Sequence, residues 1–151
     1  MSSAEIALVL AVIACALGGA LGGYALARPE DVAELVGLKR DPDKAHSLSE
    51  LRAAYGGFFL LSHGGTAAAL GYAPNLGAAM ALALALAWGG AGVARGWSMV
   101  KDDADTPFNV QATIFEFLMG VALALPFWSL FSGAPAGAVA VCGRASRPWR
   151  R

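Results

Sequence analysis

Apolar and polar positions are segregated along this chain rather than interleaved. Residues 6–27 run 22 positions without a charge, which at 1.5 Å per residue covers a hydrocarbon core of about 30 Å. A second uncharged run, 53–72, holds His63, and a third, 76–94, contains the alternation Ala81-Leu82-Ala83-Leu84-Ala85-Leu86-Ala87. Alternation is the period of a strand, yet a run this long and this rich in Ala and Leu favours helix. The fourth run, about 108–131, is interrupted by one charge, Glu116. The pattern predicts an all-α, polytopic integral membrane protein. Its single domain, 1–131, is an antiparallel bundle of four transmembrane helices at about 6–27, 51–72, 76–97 and 108–131. A β-barrel would need many short alternating segments, which the chain lacks.

The connections add detail. Ala73-Pro74-Asn75 is so short that the second and third helices form an antiparallel hairpin. Within the longest connection, 28–50, the stretch 30–37 reads as a short amphipathic surface helix. Pro29 suits its first turn, Glu30 and Asp31 complement the positive end of its dipole, and Gly37 stops it. Val32, Leu35 and Val36 share a face, which places this helix on the membrane surface. Ser47 and Glu50 have capping-box spacing ahead of the second span. Residues 132–151 form a tail with Pro135, Pro148 and four arginines. Ala25-Leu26-Ala27 resembles a signal-peptidase site, but residues 1–5 lack a basic segment and the apolar run is long, so 6–27 is expected to stay as a span.

Composition sharpens this picture. Hydrophobic residues make up 57% and charged residues 15%, against about 25% charged in an ordinary soluble domain. Mean hydropathy is +0.56. Eleven basic residues balance eleven acidic ones, so no excess positive charge is available for a nucleic acid. Cys15 lies mid-helix and Cys142 in the tail, a poor disulfide pair. No Cys-x-x-Cys or paired-histidine spacing supplies a metal or redox centre, and no sequence feature names a cofactor.

Topology then brings chemistry together. Glu50 and Arg52 open the second span on the side of the membrane where Arg95 closes the third. Glu116 lies about 12 Å into the fourth from that same side. A lone charge in lipid costs at least ~2.5 kcal/mol, so Glu116 needs a partner, water or a proton. Arg52 and Arg95 are the basic side chains near its depth, so Glu116 is expected to pair with one or both, making Arg52, Arg95 and Glu116 a buried ion pair or a ligand site. Asn109, Thr113 and Glu116 fall on one face of the fourth helix. Tyr55, Ser62 and Thr66 share a stripe of the second with His63 beside it, and Arg95 and Ser98 share one of the third. With Glu50 these residues define a polar seam, which serves either as interhelical hydrogen bonding or as a small-molecule or proton site with His63 as relay.

Small residues mark helix contacts. Gly18-Gly22, Gly19-Gly23 and Gly92-Gly96 are G-x-x-x-G pairs, and Gly56-Gly57 and Gly64-Gly65 recur along the second span. Such residues let helix backbones approach closely. They sit inside apolar helices, so none reads as a phosphate-cradling loop.

Pro29-Glu30 through Gly37-Leu38, followed by Ser49-Glu50-Leu51-Arg52-Ala53-Ala54-Tyr55-Gly56-Gly57, resemble the small four-helix bacterial membrane proteins of the family "domain of unknown function 4345". The arginine ending the third helix and the acid in the fourth, Glu116, follow the same pattern. The similarity covers roughly residues 5–130. It implies the four-helix fold and a multi-pass place in the bacterial inner membrane, and it brings no activity.

With no nucleophile–base pair, metal set or nucleotide motif, the first expectation is a non-catalytic accessory or assembly subunit of a larger membrane complex. Its partners would be the lipid bilayer and other membrane subunits or further copies of itself. The alternative is a small-molecule or proton-handling protein that uses the seam around Glu116. Arg28, Lys39, Arg40, Lys44, Arg52, Arg95 and Lys101 lie on the loop-one side, against four arginines in the tail. This bias predicts loops one and three inside and both termini in the periplasm.

Overall fold

Ser2 starts the first helix. Its hydroxyl accepts the Glu5 N–H at 3.3 Å while its own N–H donates to Glu5 Oε2 at 2.8 Å, a reciprocal capping box. That Ser-x-x-Glu spacing explains why the helix begins before the apolar run does. The computed structural model describes residues 1–38, 44 and 46–132, with side chains described as far as Ser129. The expected tail from 133 onward, Cys142, Lys39 and Arg40 lie outside the described residues. The helices are α1 (Ser3–Ala27), α2 (Pro29–Leu35), α3 (His46–Leu51), α4 (Phe58–Tyr72), α5 (Pro74–Lys101) and α6 (Pro107–Ser132). A π-helical segment, Arg52–Gly57, joins α3 to α4. Among the described residues there is no strand.

α1, α5 and α6 are long and apolar enough to cross a membrane. The stretch expected at 51–72 differs, because its α-helical part, α4, has 15 residues, fewer than the ~20 a straight crossing needs. The wider π turn, closed by an i→i+5 bond from the Phe58 N–H to the Ala53 carbonyl, interrupts it. The expected hairpin link shrinks to Ala73, because Pro74 is already in the first turn of α5, where its missing N–H costs nothing. α2 begins at Pro29 and ends in a turn with Gly37 at φ +74°. Pro29, Val32 and Ala33 pack inward, whereas Leu35, Val36 and Leu38 are exposed. The expected capping box at Ser47 does not form. α3 starts one residue earlier, the Ser47 hydroxyl is buried without a partner, and Ser49 donates to the His46 carbonyl instead.

α1 packs on α4 and α6, and α5 packs on the same two helices, so the four close a ring around one core. That core is built from small residues as much as large ones: Ala11, Ala14 and Cys15 of α1 meet Leu70, Ala81, Leu84, Trp88, Met119 and Leu123. Large side chains point outward. Ile6, Leu8, Val9, Val12, Ile13, Leu17 and Leu21 of α1 are all at least 40% exposed. Small-in and large-out is the pattern of helices surrounded by lipid, where close backbone approach replaces the hydrophobic effect as the packing force.

The glycines divide accordingly. A Cβ on Gly18 would overlap the His63 ring, one on Gly22 the backbone of Leu60, and one on Gly56 the Leu26 side chain. Gly92 meets the Phe117 ring, while Gly19 and Gly65 make ordinary contacts with His63 and Met80. Gly57 meets only its own segment's Arg52 carbonyl. Gly23, Gly64 and Gly96 were expected at contacts, yet nothing lies within 4 Å of a Cβ there. Gly23 and Gly64 each sit one step after a packed residue, Gly22 and His63, which rotates them off the contact face, whereas Gly96 shares the face of Gly92 one turn beyond the Phe117 contact. Gly77, against Ala69 and Leu70, and Gly120, against Ala85, are close approaches that the pair motifs did not flag.

Candidate functional site

The site begins with how α6 starts. Thr106 accepts the Asn109 N–H at 3.2 Å on its hydroxyl, the geometry of an N-terminal cap. The Asn109 side-chain amide donates to the Ala104 carbonyl at 2.8 Å, behind the left-handed turn at Asp103 (φ 53°). Held at both ends, Asn109 offers its Oδ1 to Arg95 Nη1 at 3.2 Å. Two turns further along, Glu116 meets the same guanidinium: Arg95 Nη2 donates to Oε1 at 2.7 Å, and Nε lies 3.1 Å from both carboxylate oxygens. Glu116 is 5% exposed, so a buried acid has a forked cationic partner of matching geometry.

Arg52 does not join them. Its Nε donates to the Leu26 carbonyl at 3.3 Å, in the last turn of α1, where carbonyls lack helical partners and the dipole attracts a cation. Of its two expected partners Glu116 therefore takes one, Arg95, supported by Asn109. Glu50 is exposed and lines a separate groove of about 260 Å³ with Ala33, Leu38, Ser47 and Leu51. Ser98 donates to Asp102 at 2.6 Å, and Thr66 donates to the Ser62 carbonyl at 2.8 Å. Neither hydroxyl reaches the pair. The Thr113 hydroxyl, one turn before Glu116, is buried without a partner.

His63 is 2% exposed and fully engaged. Nδ1 lies 2.8 Å from the Phe59 carbonyl, with the Ser62 hydroxyl at 3.3 Å, and Nε2 receives the Trp88 indole N–H at 3.0 Å. An indole can only donate and a carbonyl can only accept, so the proton sits on Nδ1. Trp88 was read from sequence only as part of an apolar run. It also contacts the rings of Phe59 and Phe115 edge to face, at 5.5 and 5.6 Å.

Between α4 and α5 these groups line a groove of about 330 Å³. One wall is Tyr55, Phe58, Phe59 and His63. The other is Leu84, Ala87, Trp88 and Ala91, with Arg95 and Glu116 at one end. The space has a cause in sequence. α4 and α5 touch tightly at their shared turn, where Gly77 sits on Leu70. At the far end the π segment is held on α1 through Gly56 and Leu26, away from α5. Ala87 and Ala91 are too small to fill what remains. The π turn also presents Tyr55 in stacking register with Phe59, their ring centroids 6.3 Å apart. Such turns are frequent at functional sites.

The sequence model of the family described as "Domain of unknown function (DUF4345)" matches residues 3–127. That span runs from the start of α1 through most of α6, and the chain belongs to this family. No match was found among curated proteins or among solved structures.

Proposed function

We propose that this protein is a multi-pass protein of the bacterial inner membrane that binds a small amphiphilic molecule in the groove between α4 and α5. The path His46–Tyr72, helical throughout, is the fourth crossing. Glu50 and Arg52 lie at its interfacial end, and α2 rests Leu35, Val36 and Leu38 on the membrane surface. The single observation that carries the reading is the juxtaposition of an apolar, aromatic-walled groove with the Arg95–Glu116 pair at its end. A volume of about 330 Å³ falls at the lower end of small-molecule sites, and a few convergent polar groups in an apolar cleft are their usual chemistry.

Two other readings have less support. An accessory subunit would use small-residue faces to grip partners; Gly18, Gly22, Gly56, Gly77, Gly92 and Gly120 are occupied by contacts within the chain, which leaves Gly23, Gly64 and Gly96 for that use. A proton relay through His63 would need partners that exchange protons, whereas its ring nitrogens bond a backbone carbonyl and an indole N–H. Native mass spectrometry of the full chain released from its membrane tests the proposal. The expected spectrum carries a low-mass adduct that Ala87→Leu, which fills the groove, removes. Identical spectra for the two proteins would contradict it.

A further inference from the structure

The groove's hydrogen-bonding groups define the head that fits it, an inference that rests on the binding role proposed above. A guanidinium has five N–H groups. Arg95 uses Nε–H and one N–H of Nη2 on Glu116, and one N–H of Nη1 on Asn109. One N–H on each terminal nitrogen is left over. Both side chains line the end of the groove, Arg95 33% and Glu116 7% exposed, and both Glu116 oxygens already accept from Arg95. His63 has no spare nitrogen, and the Trp88 N–H is taken. The uncommitted groups at the polar end are therefore the two Arg95 N–H donors, beside a Tyr55 hydroxyl that can give or take a hydrogen bond, and the arginine calls for an acceptor.

Charge narrows the choice. Arg95 and Glu116 together are neutral, so an anionic head would give up its hydration at bilayer depth without a net positive charge to receive it. The rest of the groove is aromatic and aliphatic, and its mouth is flanked by Phe58, 64% exposed, at the depth of acyl chains. We infer that the ligand is an uncharged, carbonyl-bearing amphiphile with an aliphatic tail. Its carbonyl oxygen accepts from Arg95, and its body lies between the Tyr55/Phe58 wall and the Ala87/Ala91 wall, over the touching Phe59 and Trp88 rings. The volume holds one ring or one short chain segment, so the carbonyl belongs either to a quinone ring or to a single-chain ester.

Binding to the full chain in nanodiscs of ether-linked phosphatidylcholine, which supplies no carbonyl, tests this against empty discs. The probes are a decyl-substituted benzoquinone, a decanoyl monoglyceride, decanesulfonate and dodecane. One of the two carbonyl probes is expected to saturate at one per chain, which identifies the source as ring or ester. Decanesulfonate and dodecane should bind at least about tenfold more weakly. Ala91→Leu, at an exposed wall position, should weaken the carbonyl probe at least about tenfold while the protein's melting temperature holds, with Ala87→Leu as the second variant. Decanesulfonate binding as tightly as the carbonyl probes, and sensitive to Ala91→Leu, would overturn the ligand class while leaving the groove a binding site. If neither carbonyl probe saturates, or the variants change nothing, the inference is overturned, and the mass-spectrometric adduct decides separately whether the groove binds anything.

Discussion

The Trp88 indole donates to His63 Nε2 at 3.0 Å, joining α4 to α5 at the base of the groove and leaving the imidazole one tautomer. Trp88→Phe keeps an aromatic ring but leaves a buried nitrogen without its donor, at an expected cost of ~1–3 kcal/mol. His63→Phe with Trp88→Phe should cost less than the two single changes added. Unfolding in mild detergent measures the coupling. Nitrogen chemical shifts of the ring should report a proton on Nδ1 in the parent protein.

Arg95 and Glu116 should behave as one unit, and Arg52 should not. Glu116→Ala is expected to destabilise the fold by ~1–3 kcal/mol, and the double change with Arg95→Ala should cost less than the sum. Glu116→Ala with Arg52→Ala should instead be additive within ~0.5 kcal/mol, because the two share no partner. Coupling to Arg52 rather than Arg95 would contradict the pairing.

Glycines on and off the contact faces should separate cleanly. Gly22→Ala drives a methyl into the backbone of Leu60, and overpacking of ~1–3 kcal/mol exceeds the gain in helix propensity of up to ~1 kcal/mol. Gly23→Ala meets nothing within 4 Å, so only the gain remains. Thermal unfolding of the two variants should therefore shift in opposite directions.

Much of this architecture was legible in the sequence because lipid imposes simple demands. Glu116 could be matched to Arg95 by counting turns from one side of the membrane, since a buried acid must find a cation at its own depth. The same counting left Arg52 open as a second partner. It assumed an uninterrupted α-helix from Arg52 to Thr66, and the π turn rotates Arg52 toward the open carbonyls ending α1. No composition signal announces that turn. Trp88 was hidden in an apolar run, although its spacing of seven from Arg95 puts both on one face, and His63 needed a polar partner nearby. The groove itself depends on how far α4 and α5 diverge, which pairwise spacing in sequence does not encode.

The proposed fourth crossing has a test independent of orientation. On that proposal, alkaline phosphatase fused after Lys44 and after Ala73 should give opposite activities. The charge bias further predicts activity at Ala73 and at the C-terminus and none at Lys44. Equal activity at Lys44 and Ala73 would mean that α4 enters and leaves on one side.

The most direct test of the central claim is a density map of the full chain isolated in its own membrane lipids, without detergent exchange. The account predicts an elongated nonprotein density in the groove between α4 and α5, ending within hydrogen-bond distance of the Arg95 terminal nitrogens and passing Ala91. A groove closed by α4 packing directly on α5, or one holding only solvent in front of Arg95, would contradict it.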